Sequence, residues 1–211
     1  CTNVSALQTE WSNGQESKVR IVSPYTHLGD QNSIILGLEY QLQDGWKTYW
    51  KSPGDGGFPQ TINWKNSKNI NNLEILWPVP EEFEILNLKS LGYKNSVIFP
   101  LKTSIINTNK EAIINLELDY LVCKDICIPG TSTLELLILP GKKKFTNHLY
   151  SIEKALSSIP KKNFNITNIE NISLRSFLKN EKINLIINAS TNNLFQFPKL
   201  YLHTEYGLPI I

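Results

Sequence analysis

Two cysteines carry the clearest chemical potential in this chain. They stand in Tyr120-Leu121-Val122-Cys123-Lys124-Asp125-Ile126-Cys127-Ile128-Pro129 with three residues between them. On a straight strand, positions i and i+4 share a face but lie roughly 13 Å apart, from about 3.3 Å of rise per residue. A disulfide needs Cα atoms within about 7 Å. With Lys124-Asp125-Ile126 as a short loop, the cysteines become cross-strand neighbours about 4.5–5.5 Å apart. A helical turn would also join them, but the flanks are β-branched and aromatic and Pro129 follows at once. The pair reads as disulfide-capable, at a hairpin-like corner.

Three chemistries fit such a pair. The first is a static structural disulfide, although a bond closing so small a loop adds little entropic stabilisation. The second is a redox-active dithiol, in which Lys124 would favour a Cys123 thiolate and Asp125 would oppose it. The third is soft-metal binding by two thiolates, for instance Cu(I). Against that stand the absence of methionine and the dispersal of His27, His148 and His203. No hydrolase constellation stands out: His27 reads as a surface histidine and Asp55 as a turn residue. Cys1 is the odd cysteine, either a lipid-bearing first residue of a mature lipoprotein or the point where the chain was cut.

Alternating apolar residues supply the elements that must position the pair. Ile34, Leu36, Leu38, Tyr40 and Leu42 share one parity, as do Ile114, Leu116, Leu118, Tyr120 and Val122. That period of two marks strands with one buried face. The opposite parity of the second strand holds Asn115, Glu117, Asp119, Leu121 and Cys123, which places Cys123 on the more polar, reachable face. Shorter strands are expected over Lys18–Ser23, Val97–Thr103 and Leu134–Ile138, with another ending at Trp77-Pro78-Val79-Pro80. Trp11 is expected to tuck a first edge segment onto the body.

Asp44-Gly45 is a turn, and Pro53-Gly54-Asp55-Gly56-Gly57 between tryptophans is a rigid loop packed under aromatics rather than a phosphate cradle. Leu91–Ser96 reads as a loop. Many short strands separated by turn signals make an all-β sandwich. Leu149, Ile152, Ala155, Leu156 and Ile159 then follow helical spacing, with Thr146 or Asn147 as N-cap. Beyond this linker helix comes an Asn/Ile/Lys-rich connector over 161–173. A strand over Ile183–Ala189 and another near Leu200-Tyr201-Leu202 begin a second β domain. The expected division is 1–141, 142–162 for the helix, and 163–211.

Twenty-one basic and nineteen acidic residues leave a formal charge of +2, with both signs interspersed, so nucleic acid is not an expected partner. The run Lys142-Lys143-Lys144 reads as solvated linker. The Asn-Xaa-Ser/Thr matches at Asn3, Asn165, Asn171 and Asn188 are what chance yields in an asparagine-rich chain. No apolar stretch approaches the ~20 residues needed to span a bilayer.

Four motifs in order carry a resemblance: Gly45-Trp46-Lys47-Thr48-Tyr49-Trp50-Lys51-Ser52-Pro53-Gly54-Asp55, Trp77-Pro78-Val79-Pro80, Gly92-Tyr93-Lys94-Asn95, and the Tyr120–Pro129 stretch. From about Val19 to Pro160 the chain resembles the N-terminal periplasmic domain of DsbD-like thiol:disulfide interchange proteins, especially the ScsB-type, copper-tolerance branch. The resemblance implies an immunoglobulin-like β-sandwich in the periplasm, tethered to the inner membrane as part of a larger protein. It makes Cys123 and Cys127 the catalytic pair of a protein-disulfide reductase. They would take electrons from a membrane-embedded thiol reductase domain and pass them to periplasmic thioredoxin-like or disulfide isomerase-like proteins.

No cofactor and no metal are implied. A cap loop over Leu91–Ser96 would place Tyr93 as the aromatic shield. The cysteine spacing is shorter here than in the better-studied branch, and that branch's acidic–aromatic cap-loop pattern is missing. A binding module with a static disulfide, recruiting a periplasmic protein or copper, is the competing reading.

Overall fold

The computed structural model describes residues 6–14, 16–85, 87–160, 169–191, 199 and 201. Cys1, most of the expected connector, Leu200 and Leu202 lie outside them. The chain divides into two compact units, the first running to Ile159 and the second spanning Pro160–Tyr201.

The first unit begins with β1 (Leu7–Gln8), β2 (Ser12–Asn13), β3 (Ser17–Ser23), β4 (Ser33–Leu42), β5 (Lys47–Gly54) and β6 (Thr61–Asn63). It continues with β7 (Ile70–Ile75), β8 (Glu81–Ile85), β9 (Leu88–Lys94), β10 (Ser96–Ile105), β11 (Ala112–Cys123), β12 (Cys127–Ile138) and helix α1 (Leu149–Ser157). One sheet has the order β1-β3-β4-β10-β7, with β2 on β3; the other has β12-β11-β5-β9-β8, with β6 on β11. The all-β, immunoglobulin-like sandwich expected from the sequence is therefore the fold.

The two long alternating strands build the core as their periodicity demands. Ile34, Leu36, Leu38, Tyr40 and Leu42 are buried, and so are Ile114, Leu116, Leu118, Tyr120 and Val122. Burying each such aliphatic contributes about 1.5–3 kcal/mol. Tyr40 meets Phe99 of its own sheet and Tyr120 of the facing sheet edge-on, at centroid distances of 5.5 and 5.3 Å. Edge-to-face pairs of this kind contribute about 0.5–1.5 kcal/mol beyond their buried area. At the edge, the Arg20 guanidinium lies 4.1 Å from the Trp11 ring centre, so Trp11 does tuck the first segment onto the body.

Three sequence expectations change. Leu91–Lys94 is not loop but the end of β9, a strand with β5 on one side and β8 on the other. The reason is close packing: a Cβ at Gly92 would stand 2.0 Å from the Thr48 carbonyl oxygen, so glycine here admits a neighbouring backbone rather than a turn. The reversal falls at Asn95, whose φ of 61° lies in the left-handed region that asparagine tolerates. Next, β12 starts at Cys127 and runs through Pro129-Gly130, well ahead of Leu134. It is an edge strand, where proline is admitted. Finally, α1 is capped by His148 without a side-chain bond, and Thr146 Oγ1 instead accepts the His148 N–H at 3.2 Å. The helix docks on the sheet through Ile152, whose Cγ1 lies 3.1 Å from where a Gly37 Cβ would stand.

In the second unit, β13 (Ile169–Lys179) and β14 (Lys182–Thr191) form an antiparallel hairpin. Asn180 and Glu181 turn it with φ of 53° and 61°, the two positive values of a type I′ turn. The expected strand over Ile183–Ala189 lies within β14. Its partner β13 begins inside the expected connector, where asparagine and glutamate dilute the strand signal. Tyr201 belongs to no strand.

Two stability outcomes follow. Gly92→Ala should cost about 1–3 kcal/mol or more, from overpacking against β5; urea unfolding measures it, and a loss under about 0.5 kcal/mol would contradict the close approach. His148 is buried, with Nε2 2.5 Å from Gln8 Oε1. Burial first, and then the Arg20 charge, hold its imidazole below the ordinary 6.5, while Glu39 acts in the opposite sense. The unfolded chain therefore takes up the proton first. Stability should be complete above pH 6.5 and fall as pH drops below it. Urea midpoints should show that slope in the native protein and lose it in His148→Gln.

Candidate functional site

The two cysteines face each other where β11 hands over to β12. Cys123 and Cys127 are register partners, bonded as a disulfide with Cα atoms 4.1 Å apart. Lys124-Asp125-Ile126 is the intervening loop, and the Lys124 N–H donates to the Ile126 carbonyl at 2.9 Å. In an antiparallel ladder, hydrogen-bonded and non-hydrogen-bonded pairs alternate, and the latter bring Cα atoms to about 4.5 Å. Cys123–Cys127 is therefore a non-hydrogen-bonded pair. It sits between the Lys124–Ile126 bond and the Val122–Ile128 rung.

Strand parity puts Cys123 on the face that carries Asn115, Glu117 and Asp119, but that face is not wet at this end. Cys123 is fully buried in a small cluster with Tyr49 and Ile85, and Phe83 and Leu121 pack against it. Cys127 is exposed, as are Lys124, Asp125 and Ile126. The expectation that Cys123 is the reachable cysteine is thus reversed. Alternation assigns a face; what covers that face comes from other strands.

Tyr49, carried by β5, donates its hydroxyl to Cys123 Sγ at 2.9 Å and stands 3.9 Å from Cys127 Sγ. Its ring is held by the Pro/Gly loop. Gly57 has a φ of 92°, and a Cβ there would lie 2.1 Å from Tyr49 Cε1. The glycine-rich segment is thus a close-packed wall against an aromatic. Burial pushes the Tyr49 phenol above its ordinary 10.0, so the group remains a protonated donor at any physiological pH. Phe83 of β8 lies 5.9 Å from the Tyr49 ring, and Lys47 Nζ stands 5.8 Å from the Phe83 ring centre. The Lys124 ammonium reaches the Asp44 carbonyl at 3.3 Å, so the donor at Cys123 is Tyr49 rather than the lysine expected there.

Tyr93 does not sit on a cap loop. It belongs to β9, donates its hydroxyl to the Pro78 carbonyl at 2.8 Å, and packs edge-on against Phe99 in the opposing sheet. The aromatics at the cysteines are Tyr49 and Phe83. Neither stands out in the sequence, where Tyr49 is one aromatic among Trp46 and Trp50 ahead of the Pro/Gly loop. Nothing in the pattern around Phe83 points to cysteines that lie about forty residues on. Among the described residues, no group of three or more His, Cys, Asp or Glu side chains could hold a metal ion.

Residues 18–139 match the family model of the thiol:disulfide interchange protein DsbD, N-terminal. Among solved structures, the chain is similar to the N-terminal periplasmic domain of ScsB from Proteus mirabilis. The two are 24% identical over 91% of this chain and 73% of that one, with a TM-score of 0.69. The reduced N-terminal domain of Neisseria meningitidis DsbD also matches, at 11% identity over 59% of this chain and 89% of that one, with a TM-score of 0.31. Among curated proteins no match emerges. The family match spans more than half of the chain and both cysteines, so this chain belongs to the DsbD N-terminal family of thiol:disulfide interchange domains.

Proposed function

We propose that Cys123 and Cys127 are the redox centre of an electron-relay domain in the periplasm. It is reduced by a membrane-embedded thiol reductase domain and reduces disulfides of thioredoxin-like or disulfide isomerase-like proteins. The observation that carries this reading is the asymmetry of the pair: an exposed Cys127 bonded to a buried Cys123 that accepts a hydrogen bond from Tyr49.

Each step uses that asymmetry. In the reduced domain, the Cys127 thiolate attacks one sulfur of the partner's disulfide, whose other sulfur leaves as a thiolate. Cys123 then attacks Cys127 Sγ, releases the partner's second thiolate and closes the Cys123–Cys127 bond. Two electrons have passed to the partner. In the return direction, a reductase thiolate attacks the accessible Cys127 Sγ, and Cys123 leaves as a thiolate. The Tyr49 hydroxyl donates to that developing charge, and a leaving thiol of lower pKa departs faster. Phe83 and Tyr49 wall the buried sulfur, so exchange is confined to Cys127.

Cys123→Ala should trap partner proteins as mixed disulfides through Cys127, whereas Cys127→Ala should trap few, because Cys123 is enclosed. Non-reducing electrophoresis of adducts decides this, and predominant trapping through Cys123 would reverse the roles. The reduction potential should fall between about −180 and −270 mV in thiol/disulfide buffers, the range of exchange proteins. A value below about −300 mV would mark a structural bond and return the domain to the binding-module reading. Tyr49→Phe removes a donor to a charged sulfur, a bond worth about 1.5–3 kcal/mol, and should lower the potential by about 30–60 mV.

A further inference from the structure

The backbone of Cys127, as well as its sulfur, faces outward. Cys123–Cys127 is a non-hydrogen-bonded pair, closed on one side by the Lys124 N–H to Ile126 carbonyl bond. The N–H and C=O of such a residue point away from its ladder partner. For Cys123 they point toward β5, where Lys47 is its neighbour. For Cys127 they point to the free side of β12, because β12 is the outermost strand of its sheet and pairs only with β11 among the described strands.

The same alternation makes the opening short. Pro129 is two residues on, opposite Leu121, and its nitrogen on the free side bears no hydrogen. Further along, Ser132 faces inward, its Oγ 3.0 Å from Ser12 Oγ of β2 in the facing sheet. One donor and two acceptors, the N–H and C=O of Cys127 and the C=O of Pro129, thus form a short open edge at the exposed cysteine. Exposed Ile126 lies immediately before it.

We propose that this edge is a docking site for an extended segment of the redox partner, next to the partner's own cysteine. That segment adds as a short strand, its backbone exchanging hydrogen bonds with Cys127 N–H and C=O. Strand addition of this kind takes affinity from main-chain bonds and leaves side-chain identity open. It suits a domain that must serve chemically different partners. Pro129 ends the added strand after one full rung, which keeps the complex transient and guards the edge against further pairing. The proposal rests on the exchange reading above, in that the docked segment brings the partner's sulfur to Cys127 Sγ.

The test uses the oxidised native domain and two synthetic probes. One is the reduced pentapeptide acetyl-Thr-Val-Cys-Val-Thr-amide, and the other is the same peptide with every backbone amide N-methylated. Both should reduce a small aromatic disulfide at the same rate. With the domain, the unmethylated peptide should open Cys123–Cys127 about tenfold faster, the equivalent of one to two net hydrogen bonds. In the peptide adduct on Cys127 of Cys123→Ala, amide hydrogen exchange should show Cys127 N–H protected by the plain peptide and not by the methylated one. Equal opening rates, or an unprotected Cys127 amide in the plain adduct, would overturn the docking edge. If neither peptide opens the disulfide, it is the exchange reading that fails. The adduct can still be made with a peptide activated as its thionitropyridyl disulfide, and amide protection then judges the edge alone.

Discussion

The three-residue closure between β11 and β12 is the constraint on which the rest of the site depends. It makes Cys123 and Cys127 directly opposed in a pair whose backbone groups do not bond each other. That single choice of register sets three things together. The Cα atoms come close enough for a disulfide, one cysteine is delivered to a strand inside the sheet, and the other is left on the sheet's outermost strand. A shift of one residue would exchange hydrogen-bonded for non-hydrogen-bonded positions and flip every side chain to the other face.

Everything around the pair reinforces the difference between its members. Cys123 is roofed by Tyr49 from β5, by Phe83 and Ile85 from β8, and by Leu121 from its own strand. A buried sulfur in apolar surroundings would be a poor thiolate, since desolvation disfavours the charged form. The Tyr49 hydroxyl offsets that cost with a donor aimed at Sγ, itself locked as a donor by its own burial. The glycine-rich loop acquires its purpose here, because only a residue without Cβ at position 57 lets the chain lie against the tyrosine ring. Cys127 keeps solvent access and an open edge, the two attributes that encounter with another protein requires.

Stability and chemistry are kept apart in this molecule. The inter-sheet core, with Tyr40, Phe99, Tyr120 and Tyr93 meeting edge-on, holds the sandwich without reference to the cysteines. The cluster around Cys123 lies on the opposite face of β5 and β11 from that core. Adjacent residues serve the two sides: Thr48 and Val122 are buried partners in register, while Tyr49 and Cys123 belong to the cluster.

The sequence by itself determined the strands with a strict period of two, the hairpin-capable spacing of Cys123 and Cys127, and the ordered motifs that mark the family. Those properties are local: alternation, loop length and turn residues act over a few positions and are written in consecutive letters. Which cysteine is buried, which tyrosine reaches the sulfur, and that Gly92-Tyr93 is strand rather than cap were decided only by tertiary structure. Cys123 is covered by Phe83 and Ile85, about forty residues earlier in the chain, and Tyr49 lies 74 residues before it. Parity can say that a side chain leaves one face of a strand, but exposure depends on what other strands bring to that face. Glycine and asparagine in Gly92-Tyr93-Lys94-Asn95 carry the letters of a turn. Only the approach of the Thr48 carbonyl shows that Gly92 is there to admit a neighbouring strand.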